Sequence, residues 1–249
     1  MEKVAHAVAA GDSRRDSGAD RGLEAVVALK LAVIGTFHGR HSATLPLLRR
    51  VLVESTRRPD EFWILCEDDE DGNVAAKALV DLIASEPDAN WDGIGIIGCP
   101  TPRQHGSYAV IPYSNKINFA LDRTDADVIC YLDNGSMPHP EKYRWFAWSL
   151  ASNPDWGAVY VTQHRTGFRD ETHVADKIIE NGHGQINYTQ FAHRRTADRW
   201  TLDLKWANPD LADAMFLADL SKSLGPLYPV GGPEPLDEHR MDSEKAAGL

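Results

Sequence analysis

An apolar run that ends abruptly in polar turn residues is the feature of this sequence that most constrains its fold. Residues 128–132 read V-I-C-Y-L, and Asp133, Asn134 and Gly135 follow directly. A short run with β-branched and aromatic members, bounded by turn residues, predicts a buried strand. Open α/β sheets bind ligands at the carboxyl ends of their strands, so Asp133 is expected at a binding edge. Its carboxylate can hold a divalent cation on a diphosphate; the alternative is an Asp that only caps a turn.

Similar apolar runs alternate with helical patterns along most of the chain. The predicted strands cover residues 31–35, 61–66, 94–98, 127–132 and 157–161. The predicted helices cover about 42–55, 73–85, 114–121, 140–151 and 210–223. Alternation at this spacing predicts an α/β fold, in which helices flank a mostly parallel, Rossmann-like sheet.

Composition narrows the classes of protein and partner. The 249 residues fit one large domain or two small ones, and the net charge of −11 disfavours non-specific binding to nucleic acid or anionic membranes. Cys66, Cys99 and Cys130 each lie in or beside an apolar run, and an odd count without close pairs argues against a disulfide framework or a zinc site. We find no apolar run of ~18 residues and no signal-peptide pattern. The sequence therefore predicts a cytoplasmic protein with no integral membrane segment.

Four blocks of residues, in order, resemble the GT-A class of nucleotide-sugar glycosyltransferases, family 2 in particular. They are Thr36-Phe37-x-x-Arg40 with Ser55 and Pro59–Glu61; the acidic turn Glu67–Asp68; Lys116–Asn118 with Asp133–Gly135 and Pro140; and residues 190–195 with Trp200 and 212–216. Together they span roughly residues 31–230. The resemblance implies a GT-A fold that binds a nucleoside diphosphate sugar of UDP or GDP type.

The resemblance also assigns donor-binding residues. They are Thr36, Phe37, Arg40, Glu67, Asp68, Lys116, Asn118, Asp133 and Asn134. Thr36 is expected to hydrogen-bond the nucleotide and Phe37 to pack on it, while Glu67 or Asp68 accepts from a base N–H. Lys116 would meet a phosphate as a point charge, with a surface lysine as the alternative. Asn118 would bond either the ribose or the helix above it.

In the same resemblance, Asp133 takes the place of the first acid in the Asp-x-Asp motif that binds Mn²⁺ or Mg²⁺. The sequence departs from the motif because Gly135 stands where the second acid is expected. One carboxylate, two phosphates and water can still hold Mg²⁺, which keeps several waters. His193 and His239 are possible further ligands, with structural or exposed histidines as the alternative.

The catalytic hypothesis concerns a different acidic residue, Asp213. Asp213 resembles the general base that inverting members use on the acceptor hydroxyl. The alternative is an Asp favoured by the dipole at a helix N-terminus. Trp200 and Trp206 are interpreted either as platforms for an acceptor sugar or as core.

The sequence therefore predicts a glycosyltransferase that moves a sugar to a hydroxyl acceptor, such as a glycan or a protein, with inversion. Residues 1–30 are expected to be a disordered leader, 31–230 one domain (31–162 for the nucleotide sugar, 163–230 for the acceptor), and 231–249 a loose tail. Gly135 motivates an alternative, a non-catalytic sugar-nucleotide or glycan-binding relative. A nucleotidyltransferase ranks third, because the loop after the first strand is not glycine-rich.

Overall fold

The computed structural model describes residues 29–37, 41–66, 69–98, 110–166, 171–173, 187–200, 209–231 and 235–240. The strands are β1 (Leu31–Phe37), β2 (Glu61–Cys66), β3 (Ile94–Gly98), β4 (Val128–Asp133), β5 (Ser136–Pro138), β6 (Ala158–Tyr160), β7 (Gln163–Thr166), β8 (Glu171–His173), β9 (Phe191–Arg194), β10 (Leu227–Pro229) and β11 (Asp237–Arg240). The helices are α1 (His41–Arg49), α2 (Asp69–Ser85), α3 (Val110–Leu121), α4 (Lys142–Ser152) and α5 (Pro209–Leu224). A π-helical segment, Arg50–Glu54, continues α1, and a 3₁₀ turn, Tyr188–Gln190, precedes β9.

Two sheets organise these elements. The seven-stranded sheet has the order β10-β6-β9-β4-β1-β2-β3, and a four-stranded sheet has the order β5-β11-β7-β8. In the larger sheet β9 is antiparallel to β4 and β6, and the other neighbouring strands are parallel. The predicted α/β class with a mostly parallel, helix-flanked sheet is confirmed.

The two central strands are buried on both faces. All seven residues of β1 and all six of β4 are buried, which is why both strands are nearly continuous apolar runs. Successive side chains point to opposite faces of the sheet. Val33 and Cys130 accordingly join one core layer with α1, α2 and α4, whereas Ala32 and Ile129 join a second layer with α3 and α5.

Helix starts differ from the prediction more than strand ends do. Helix α2 begins at Asp69 instead of about residue 73, and α3 begins at Val110 instead of 114. Asp69–Asp71 form the first turn of α2, where the helix dipole and exposed N–H groups favour carboxylates. Part of the predicted acidic turn is therefore helix.

The prediction of a loose tail from residue 231 is wrong for residues 237–240, which form β11. This strand pairs with β5 on one side and β7 on the other. Its Asp237 is buried and forms an ion pair with the ammonium of Lys142, with an N–O distance of 2.8 Å. This buried ion pair holds β11 in place. The polar composition of the tail did not indicate a strand. Residues 241–249, and all of the predicted leader except Leu29 and Lys30, lie outside the described ranges.

Candidate functional site

The carboxyl ends of β1 and β4 bring three of the predicted donor-binding residues together. Thr36 and Asp133 are paired across these parallel strands, and the backbone N–H of Asn134 donates to the carbonyl of Thr36 over 3.2 Å. All three polar residues are at least nine-tenths buried. Because this edge is where open α/β sheets bind ligands, the three residues define the candidate site.

The carboxylate of Asp133 is held by the turn that follows it. Its Oδ1 accepts the backbone N–H of Gly135 over 2.8 Å, which forms an Asx turn. Gly135 thus offers a backbone donor where the resemblance expects an acid. A carboxylate has about four lone-pair positions, so this bond and a metal contact do not exclude each other.

The first strand supplies Thr36 and Phe37, which have different surroundings. The Thr36 hydroxyl lies 2.8 Å from the hydroxyl of Tyr188. The Phe37 ring is 1% exposed and packs edge-on against Phe62, with 6.4 Å between ring centroids. Phe37 serves the core, because alternation along β1 turns it toward the α1 and α2 layer. Its predicted packing on a nucleotide is not supported by this position.

Helix α3 carries the next two predicted residues. Asn118 donates from Nδ2 to the carbonyl of Trp200 over 3.0 Å, and its Oδ1 accepts the N–H of Trp200 over 2.8 Å. Asn118 thus bonds the backbone of Trp200, which lies after β9 and outside any helix, so this bond is neither of the two predicted ones. Lys116 is only 4% exposed, which excludes the alternative of a surface lysine.

Several predicted residues fall outside the described residues. Arg40, Glu67 and Asp68 are among them, and so is Trp206. The backbone places Asp213 fifth in α5, and nothing is described of its side chain. Within the described ranges, no three His, Cys, Asp or Glu side chains converge as they would around a metal ion.

The buried histidine His193 is a structural residue. Its Nδ1 lies 2.7 Å from the carbonyl of Arg194, which can only accept, so Nδ1 carries the proton. Its Nε2, 2.9 Å from the hydroxyl of Tyr131, is then the acceptor. Burial lowers the pKa of His193 to about 4, which keeps the ring neutral. Both ring nitrogens are thus bonded within the protein, and the ligand alternative for His193 is not supported.

Sequence reasoning missed two tyrosines of this region. Tyr131 lies within an aromatic cluster with Tyr188, Phe191, Trp200 and Phe216, immediately before the site strand ends. Trp200 is 1% exposed and stacks on Phe216, so it is core and not an acceptor platform. The only sequence signal for the Tyr188 contact with Thr36 was a tyrosine after a capping Asn187, which is a weak one.

Comparison with known proteins defines the class of fold. No family model and no curated protein matches the sequence. Solved structures do match, and they show that the chain has the GT-A fold of glycosyltransferases.

Two of these structures illustrate the likeness. Glucosyl-3-phosphoglycerate synthase from Mycobacterium tuberculosis, solved with Mn²⁺, UDP and glucosyl-3-phosphoglycerate, is 14% identical with a TM-score of 0.55. The match covers 96% of this chain and 81% of that one. TarS 1-349 from S. aureus, in complex with UDP, is 11% identical with a TM-score of 0.61. That match covers 88% of this chain and 62% of TarS.

None of the helices that the described ranges contain is long and apolar enough to cross a membrane.

Proposed function

We propose that this protein is a glycosyltransferase that moves a sugar from a UDP- or GDP-type donor to a hydroxyl acceptor, with inversion. The observation that carries the proposal is the buried group Thr36, Asp133 and Asn134 at the carboxyl ends of β1 and β4. The group lies at the ligand-binding edge of a fold shared with glycosyltransferases solved with UDP. The buried Lys116 is the proposed phosphate contact on α3.

A divalent cation fits this site only as a ligand shared with the donor. The described residues offer one carboxylate, Asp133, and one of its oxygens already accepts from Gly135. Oxygen ligation by one carboxylate suits Mg²⁺ or Mn²⁺ when phosphates and water complete the shell. When bound, the cation would neutralise charge on the departing diphosphate. We therefore expect cation binding to depend on the nucleotide.

Asp213 is the proposed general base, on the strength of its resemblance. A base in this role removes the acceptor proton as the new bond forms. The non-catalytic alternative remains the second candidate, and the observation that favours it is Gly135 in place of the second acid. It predicts donor binding without turnover.

Donor binding is the first experiment. Thermal unfolding would be measured with UDP-, GDP-, ADP- and dTDP-sugars, each with Mn²⁺ and with EDTA. A ligand that binds only the folded state stabilises it by about 2.7 kcal/mol at 100 times its Kd. We expect stabilisation by one nucleotide family that depends on Mn²⁺, and Asp133→Asn should remove the metal-dependent part.

The matched control is Asp155→Asn, an exposed Asp in the turn between α4 and β6, before the amino end of a strand parallel to β4. It should keep the full response. No response to any nucleotide, or an unchanged response in Asp133→Asn, would contradict the donor site.

The base is tested separately with Asp213→Asn. Sugar transfer should fall by about 10²- to 10⁴-fold, while donor-dependent stabilisation is kept, because only proton removal is lost. Asp219→Asn, later in the same helix, should retain transfer. Undiminished transfer by Asp213→Asn would show that another group is the base. Donor binding by the unaltered protein with no transfer to any acceptor would favour the non-catalytic alternative.

A further inference from the structure

A second concave region, which we call the tryptophan pocket, lies between α4, β6 and the end of β10. Its volume is about 480 Å³, which is within the range of small-molecule sites. The lining residues are Trp145, Trp148, Ser149, Asn153, Trp156, Tyr160, Thr162, Pro229, Val230 and Gly231. None of them belongs to the candidate donor site.

The three indoles of the pocket are held in place by other aromatic rings or by each other. Trp156 stacks on Tyr228 with 4.3 Å between centroids and 8° between planes. Trp145 and Trp148 meet edge to face at 5.5 Å. Trp148 nevertheless leaves 39% of its surface exposed, which is unusual for so large an apolar side chain. Stiff rings positioned in advance bind a ligand at a low entropic cost.

The polar groups of the pocket are neutral. Its lining, taken over the described residues, contains no charged side chain, and Ser149, Asn153 and Thr162 supply hydroxyl and amide groups. Asn153 donates from Nδ2 to the carbonyl of Ser149 over 2.9 Å, which fixes the plane of the amide. An ionic ligand would lose its hydration here without gaining a counter-charge. A plain alkyl chain would form no hydrogen bonds with these polar groups.

A sugar ring matches both features. The C–H face of a pyranose is slightly positive and complements the negative face of an indole, and its hydroxyls both donate and accept. We infer that the tryptophan pocket binds a neutral sugar residue of a glycan. The inference does not depend on the donor site.

One end of the pocket lies at the same edge of the sheet as the candidate donor site. Thr162 and Gly231 lie just beyond the carboxyl ends of β6 and β10, the edge at which Asp133 ends β4. Strand β9 separates β6 from β4, so the axes of these two strands are about 10 Å apart, a distance of two strand spacings. Gly231 has a positive φ of +92°, and the side chain of Leu236 lies where a Cβ atom at this position would be. The backbone N–H of Leu236 donates to the carbonyl of Thr162. The Thr162 and Gly231 end of the pocket therefore lies at the site edge of the sheet, whereas its Asn153 and Trp156 end lies before the amino end of β6.

The indole N–H signals of the protein report on the pocket directly. The seven tryptophans would be resolved by ¹H–¹⁵N NMR and assigned by single Trp→Phe substitutions. Maltotriose, cellotriose and triacetylchitotriose would be added without nucleotide or metal, up to about 20 mM. At least one should shift the Trp145, Trp148 and Trp156 signals saturably, with Trp63 and Trp91 unaffected.

Two variants and two further probes test the assignment. Trp148→Ala and Asn153→Ala should each weaken saccharide binding about fivefold or more, with the remaining spectrum preserved. Trp91→Ala, a half-buried tryptophan outside the pocket, should leave binding unchanged. The inference is overturned if no saccharide moves the three signals, if only decanol or glucose 6-phosphate moves them, or if both pocket variants bind normally. Because no donor is present, these outcomes are independent of the donor experiment.

Discussion

At the scale of single residues, His193 shows how burial fixes a protonation state. The ring is 1% exposed, donates from Nδ1 to a backbone carbonyl and accepts at Nε2 from Tyr131. Protonation would remove the acceptor and place a charge beneath the aromatic cluster, which explains why the pKa falls to about 4. The neutral ring therefore supports Tyr131, two residues before Asp133.

This pKa predicts how stability depends on pH. The folded pKa of about 4 lies below the ordinary histidine value of 6.5, so the unfolded chain binds the proton more readily. The contribution of His193 is fully present above pH 6.5 and is lost progressively as the pH falls toward 4. Between pH 7.5 and 5 the loss is about 2 kcal/mol.

Denaturant unfolding at a series of pH values measures the effect. His193→Gln should flatten the curve over this window relative to the unaltered protein, whereas His139→Gln, at an exposed position, should not. Equal pH dependence in the protein and in His193→Gln would contradict the assignment.

At the scale of elements, a buried ion pair joins α4 to β11. Lys142 and Asp237 are both fully buried, and the second oxygen of Asp237 accepts from Gln163 over 2.7 Å and from Thr189 over 3.0 Å. Ser136 extends the group, with its hydroxyl 3.4 Å from that of Thr189. The network thus ties a tail strand, a helix and the strand that follows Asp133 into one unit.

Removing one partner of this pair should be costly. Asp237→Ala leaves a buried ammonium without its counter-charge, which destabilises a protein by about 3–5 kcal/mol. Asp81→Ala, which breaks the exposed pair with Lys77, should cost no more than about 1 kcal/mol. Unfolding free energies compare the two variants, and hydrogen exchange should show β11 amides losing protection in Asp237→Ala. Similar costs for the two variants would refute the role of the buried pair.

At the scale of the whole molecule, the two predicted halves share one sheet. Strand β9, from the half assigned to the acceptor, lies between β4 and β6 of the nucleotide-sugar half. The core layers on the two faces of the sheet meet at β1 and β4, which contribute side chains to both. Neither half can therefore bury its strands without the other.

We accordingly expect unfolding to be one cooperative transition. Far-UV circular dichroism reports the sheets and helices, and near-UV circular dichroism reports the buried tryptophan and tyrosine cluster. The two signals should give coincident curves in denaturant, as for a two-state protein. A second transition, in which the aromatic signal is lost first, would show that residues from about 163 onward unfold separately.

The sequence by itself determined five strands of the seven-stranded sheet, β1 to β4 and β6, and the place of Asp133, but not β9 and β10. Doubly buried parallel strands must be continuous apolar runs, and a polar turn must end them, so β1, β2 and β4 were readable within about two residues of their ends. The first residue of a helix was harder to predict from the local sequence. A run of acidic residues is favoured both in a loop and at the start of a helix such as α2.

Only the tertiary structure decided which polar groups meet. Thr36 bonds Tyr188 from 152 residues away, Lys142 bonds Asp237 from 95, and Asn118 bonds Trp200 from 82. No local pattern encodes such pairs, because each depends on where the sheet brings distant segments together. For the same reason Trp200 became core while Trp148, on a helix predicted from its apolar spacing, became the exposed wall of a pocket. Local sequence set the elements, and burial against distant partners set which side chains were left to bind a ligand.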